Sequence, residues 1–145
     1  MFSKTCEYAI RATVFVAHRS DDVTKLNFQE IAHGIDAPTA FVAKILQKLV
    51  KAGIIQSLKG KSGGFYMDAN CLNKTVADIV KAIDGDKLFA GCAMGLPRCS
   101  ELRPCPMHHD FMKIRAQLTK SLDGTNISKL KGQLESDRVF LKCRK

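Results

Sequence analysis

Apolar residues recur at helical spacing along most of this chain, and the recurrence breaks most clearly in two places. Phe2, Cys6, Ile10, Val14 and Ala17 follow at intervals of four, four, four and three, which keeps them on one face of a helix over residues 3–19. Asn27 opens the next segment, and Glu30 three residues on completes a capping-box pattern. A short helix with Phe28, Ile31 and Ala32 inward stops at His33-Gly34. Asp36-Ala-Pro38 restarts the chain, since Pro is tolerated in a first helical turn and Asp suits the positive end of the helix dipole. The third helix, about 38–52, turns Val42, Ile45, Leu46, Leu49 and Val50 inward, and Gly53 ends it. Two short helices joined by a tight turn predict a helix-turn-helix.

The first break follows Gly53. Ile54–Leu58 reads as a strand, Lys59–Gly64 as a turn and Phe65–Met67 as the returning strand: a hairpin with a basic, glycine-rich tip. Helical spacing resumes after Asn73–Thr75 with Val76, Ile79, Val80 and Ile83, and Asp84-Gly85 ends it. The second break, 86–106, is a loop of Gly, Pro and Cys. A long helix over 107–122 then carries Met107, Phe111, Ile114, Leu118 and Leu122 near heptad spacing, which suits a partner helix across a dimer axis. One more short helix is expected within 126–134. The expected fold is mainly α with a small β-hairpin wing. A winged helix-turn-helix domain spans 1–85, a cysteine-rich cluster-binding loop 86–106, and a dimerisation helix with a short C-terminal helix 107–135. A basic tail spans 136–145.

Charge sharpens this picture. The 145 residues carry a formal net charge of +9, which suits a polyanionic partner. Five lysines and no acid fall between Lys44 and Met67. Lys44, Lys48 and Lys51 share one face of the third helix, and Gln47 borders it. Such a row suits phosphates, because displaced counterions supply most of the affinity. Thr39 and Ala40, at the helix start, are placed to approach base edges. In the hairpin, Lys59 and Lys61 flank Gly60, and Ser62 with the following glycines lets the backbone approach phosphates closely. Helix-turn-helix followed by a hairpin is the order of a winged helix bound to double-stranded DNA. No run of 18 apolar residues is present, and the N-terminus lacks the ordered parts of a secretory signal; the expected location is the cytoplasm, with no membrane partner.

Six cysteines without a signal point to metal or redox chemistry rather than to disulfides. Cys6 is expected as a small buried residue on the first helix, Cys71 as a strand-end core residue, and Cys143 as a tail thiol. Cys92, Cys99 and Cys105 cluster, with His108 three residues further on and His109 beside it. Thiolates suit zinc or an iron–sulfur cluster. The gaps are wider than those of a Cys-x2-Cys knuckle, so the loop can wrap something larger than one ion. The fourth ligand is His108 or Glu7, the latter donated by a dimer partner. The rival readings are a structural zinc site, a metal-free thiol switch and plain loop cysteines. An enzyme or an iron–sulfur assembly factor is a remoter reading. No phosphate-binding loop, nucleophile–base pattern or zinc-hydrolase spacing is present, so neither an enzyme nor a small-molecule substrate is expected.

Winged helix and cysteines together resemble the Rrf-type transcriptional regulators, the family of IscR and NsrR. The residues that carry the likeness are CEYAIRATVFVA, FVAKILQKLVKAGII, SLKGKSGGFYM, TVADIVKAIDG and the cysteine loop. The resemblance implies a homodimer on operator DNA. In it Cys92, Cys99 and Cys105 would hold a [2Fe-2S] or [4Fe-4S] cluster that senses redox, iron status or nitric oxide. His108 stands at the fourth-ligand place of IscR-like members and Glu7 at that of NsrR-like members. Ala40, Ala43 and Lys44 stand where IscR-like readers carry more polar groups, so the operator is expected to differ.

Overall fold

A computed structural model describes residues 1–136 and 139–141. Eight helices and one hairpin follow in chain order among the described residues: α1 (Lys4–Arg19), α2 (Phe28–Gly34), α3 (Thr39–Lys51), β1 (Gln56–Leu58), β2 (Gly64–Tyr66), α4 (Ala69–Leu72), α5 (Val76–Asp84), α6 (Lys87–Ala90), α7 (His108–Asp123) and α8 (Ile127–Glu135). Most helix starts are written in the sequence as caps. Ser3 accepts from the Cys6 N–H, Asn27 and Glu30 form the expected capping box, Thr75 and Asp78 form a second, and Asn126 accepts from Lys129. Each cap satisfies backbone N–H groups that have no partner within the helix.

Helix α1 is the central strut, packed on α3, α5 and α8. Its Ala9, Ala12 and Val16 meet Ile31, Ile35, Val42, Ile45, Leu46 and Leu49 in the main core, joined by Ile54, Ile55, Ile79 and Ile127. A second cluster joins Cys6, Val76 and Val80 to Phe2, Leu88, Phe89 and Leu122, which seats α6 and α7 on the start of α1. The turn between α2 and α3 is set by close packing. A Cβ on Gly34 would run into the Phe15 ring, and the Arg11 guanidinium donates to the Ile35 carbonyl at 3.0 Å. The wing is antiparallel, with Gln56 opposite Tyr66, Ser57 opposite Phe65 and Leu58 opposite Gly64. Leu26 extends it by a bridge to Phe65, with N···O distances of 2.9 and 2.7 Å.

Four expectations need correction. Ile54 and Ile55 are not strand residues; their N–H groups turn back to the Leu49 carbonyl, and both are buried behind α3. Met67 lies just outside the returning strand and is buried. Cys71 is buried as expected, but on α4 rather than at a strand end. Asp68 caps α4 by accepting from the Cys71 N–H at 2.8 Å, which holds its carboxyl below the usual range. Helix α6 also cuts into the expected 86–106 loop. Cys143 and residues 137–138, 142, 144 and 145 of the expected tail lie outside the described residues. Among the described residues no helix is long and apolar enough to cross a membrane.

Candidate DNA interface and cysteine centre

The sequence-predicted DNA residues share the exposed surface of the helix-turn-helix and wing. Thr39, Ala40, Lys44, Gln47, Lys48 and Lys51 of α3 are exposed, while Val42, Ile45, Leu46 and Leu49 hold the opposite face in the core. Lys59, Gly60, Lys61 and Ser62 are exposed at the wing tip. Among the described residues no ion pair engages any of these five lysines. Helix and wing are not separate patches: Gln47, Lys51, Lys59 and Phe65 line one groove of about 380 Å³ between them. Two features went unread in the sequence. Lys25 lies 4.7 Å from the centre of the Tyr66 ring, which adds a sixth cation beside the wing. Phe41 is 41% exposed near the start of α3, braced edge-on by Tyr8. An exposed aromatic ring beside Thr39 and Ala40 was the available signal for the second.

The cysteine loop is held between α6 and α7. Its donors come together as two pairs. Cys92 Sγ lies 3.9 Å from Cys105 Sγ, and Cys99 Sγ lies 3.3 Å from His108 Nδ1. Among the described residues no group of three or more metal-binding side chains is drawn together. His108, the first residue of α7, is 3% exposed, and its Nε2 faces no hydrogen-bond partner among the described residues. Arg115 completes the setting, donating to Cys99 Sγ at 3.3 Å and to the Gly91 carbonyl at 2.7 Å. Glu7, the rival fourth ligand, is on the exposed side of α1, 3.2 Å from Lys4 Nζ; among the described residues no hydrogen bond or ion pair joins it to the loop.

The cysteines differ in chemistry. Backbone N–H groups of Leu96 and Met94 hold the Cys92 thiol below its usual range. Burial, with the Asp84 carboxylate beside it, pushes Cys6 up to about 12, and burial raises Cys71. A lowered value leaves more thiolate near neutral pH, and a raised one leaves less. Iodoacetamide on the native reduced protein is therefore expected to label Cys92 well before Cys6 or Cys71, read by peptide mass spectrometry. Labelling of Cys6 at a comparable rate would contradict this.

The apolar stripe over 107–122 is not fully covered within this chain among the described residues. Leu122 joins the second core cluster, but Met107 is 45% and Ile114 55% exposed. Phe111, Ile114 and Leu118 line a cleft of about 630 Å³ with Phe2 and Leu88.

Comparison with known proteins agrees with this architecture. A protein of Aquifex aeolicus (strain VF5) described as an HTH-type transcriptional regulator is 31% identical over 132 residues, 90% of each chain. The structure of CymR, the global cysteine regulator of B. subtilis, superposes with a TM-score of 0.74 at 17% identity, covering 92% of this chain and 97% of that one. T. potens IscR superposes with a TM-score of 0.73 at 16% identity, covering 96% and 91%. Residues 2–133 match the family model Rrf2, iron-dependent transcriptional regulator, and the chain belongs to that family of winged-helix transcriptional regulators.

Proposed function

We propose that this transcriptional regulator is a cytoplasmic repressor that binds double-stranded operator DNA as a homodimer, and that an iron–sulfur cluster in the cysteine loop controls its affinity. The observation that carries the DNA reading is the row of lysines on α3, without ion-pair partners among the described residues and continuous with the wing through a shared groove. The exposed Met107, just before α7, and Ile114 on it support pairing with a second copy. Footprinting on the protein's own upstream region tests it; protection that ignores sequence would sink it.

The donor set suits iron. Three thiols and an imidazole occupy one short loop and the helix after it. The imidazole faces the thiols through Nδ1, 3.3 Å from Cys99 Sγ, and its buried Nε2 has no partner among the described residues. Cys92, Cys99, Cys105 and His108 are the proposed ligands of a [2Fe-2S] cluster, which when bound would supply one-electron redox chemistry. The family description as iron-dependent supports this reading. Protein purified without oxygen is expected to be coloured and to contain iron and acid-labile sulfide. A colourless protein with stoichiometric zinc would end the iron reading. His108→Ala is expected to lower cluster retention at least tenfold, and Glu7→Ala to leave it unchanged; the reverse result would move the fourth ligand to the partner's helix.

One observation favours a second reading. Cys92 Sγ and Cys105 Sγ are 3.9 Å apart, so a modest loop movement would let them form a disulfide, losing two electrons and two protons to an oxidant such as a peroxide. Non-reducing peptide mapping after peroxide treatment of the iron-free protein reads this directly.

A further inference from the structure

Arg115 lies seven residues after His108, two turns along α7, so both side chains leave the same face of the helix. They converge on one atom: His108 Nδ1 and an Arg115 terminal nitrogen each lie 3.3 Å from Cys99 Sγ. The other terminal nitrogen of the same guanidinium donates to the Gly91 carbonyl at 2.7 Å. Gly91 caps the C-terminus of α6, its own N–H donating to Lys87, and it directly precedes Cys92. One planar fork thus ties both ends of the 91–99 segment to α7. A guanidinium only donates and keeps its charge, so it requires an acceptor at the Cys99 position. Its geometry is rigid, so a sulfur that moves or is covered cannot stay bonded without disturbing the Gly91 contact.

We propose that Arg115 is the positioning residue through which the state of the Cys99 sulfur sets α7 against α6. The proposal rests on the reading of the cysteine loop as the input of the regulator. Metal binding at Cys99, or its two-electron oxidation by a peroxide to a sulfenic acid with release of water, alters the acceptor that one arm of the fork holds. The other arm then either carries the loop alone or releases it. Because α7 also bears the exposed Ile114 and is preceded by the exposed Met107, a change in its seating moves the surface proposed for the second copy. The device is a latch between sensor and helix, distinct from the ligands themselves.

Two measurements on the full-length protein test it. The first uses the reduced, metal-free form and does not depend on a cofactor. Amide exchange over residues 91–99 is expected to be about tenfold faster in Arg115→Gln than in the parent. Arg115→Lys, which keeps the charge but can hold one acceptor at a time, should fall between them. Equal exchange in all three would overturn the latch. The second compares operator affinity before and after treatment with ferrous iron plus sulfide, and before and after peroxide. The parent is expected to show a clear affinity ratio in one of these, and Arg115→Gln to shrink it about tenfold while retaining the iron or the oxidised thiols. An unchanged ratio in Arg115→Gln overturns the coupling. A parent with no ratio in either treatment instead overturns the reading of the loop as an input, and the coupling with it. Where Arg115→Gln fails to fold or to load, Arg115→Lys decides by the same criteria.

Discussion

Replacing Lys44, Lys48 and Lys51 together with alanine is expected to weaken operator binding about 500-fold per bound chain at roughly 0.1 M salt, with little change in stability. The figure follows from counterion release. Each phosphate neutralised contributes about 0.9 to the slope of log affinity against log salt, so three contacts contribute about 2.7, and at tenfold below molar salt that is about 500-fold. All three lysines are exposed, and no ion pair engages them among the described residues, so their loss leaves no partner charge stranded. Alanine is the best helix former, and Val42, Ile45, Leu46 and Leu49 on the other face still anchor α3. Losing Lys48 and Lys51 from the last turn removes a favourable dipole interaction worth a few tenths of a kcal/mol each. Fluorescence anisotropy at several salt concentrations reads the slope, and thermal melting checks the fold. A variant with the parent's slope would show that α3 does not track the phosphate backbone.

That face was legible in the sequence because two signals coincide on it. The apolar spacing of Val42, Ile45, Leu46 and Leu49 assigns one side of α3 to the core, and the absence of acids from Lys44 to Met67 leaves the other side with cations and no counter-charge of its own. The same doubling explains why α1, α2, α5 and α8 were readable: each has a periodic face and a capping residue. Helices α4 and α6 have four residues each, a single turn, and one turn contains no period to detect. Ile54 and Ile55 were misread because a short apolar run fits a strand as well as a buried turn, and the Leu49 carbonyl that captures their N–H groups is a tertiary fact. At the cysteine loop the donor types were legible but their pairing was not. Nothing in the spacing of a non-periodic loop says that Cys92 meets Cys105 while Cys99 meets His108. Arg115 went unread although a signal existed, an interval of seven from His108 on the same helix. A sulfur-facing arginine is recognised only once the loop is folded back over that face.

The wing offers the other large effect, through Gly64. This residue has φ +146°, and a Cβ there would lie 2.7 Å from the Leu26 carbonyl oxygen, a backbone atom that cannot swing aside. Gly64→Ala is expected to cost about 2–3 kcal/mol, combining backbone strain with that clash. The cheapest relief is for the wing to lift away from Leu26, which breaks the paired Leu26–Phe65 hydrogen bonds. Lys59 and Lys61 would then lose their place beside α3. By the same counterion arithmetic, two phosphate contacts are worth about 60-fold in affinity at roughly 0.1 M salt. The melting midpoint is expected to fall by roughly 5–10 °C. Gly60→Ala separates the two causes: Gly60 has φ +111°, but no atom lies within 4 Å of its Cβ position. It should carry the strain alone, lose less stability and keep the wing seated, with most of the DNA affinity retained. Equal losses in the two variants would place the cost in backbone conformation and would deny the Leu26 contact its part in holding the wing against α3.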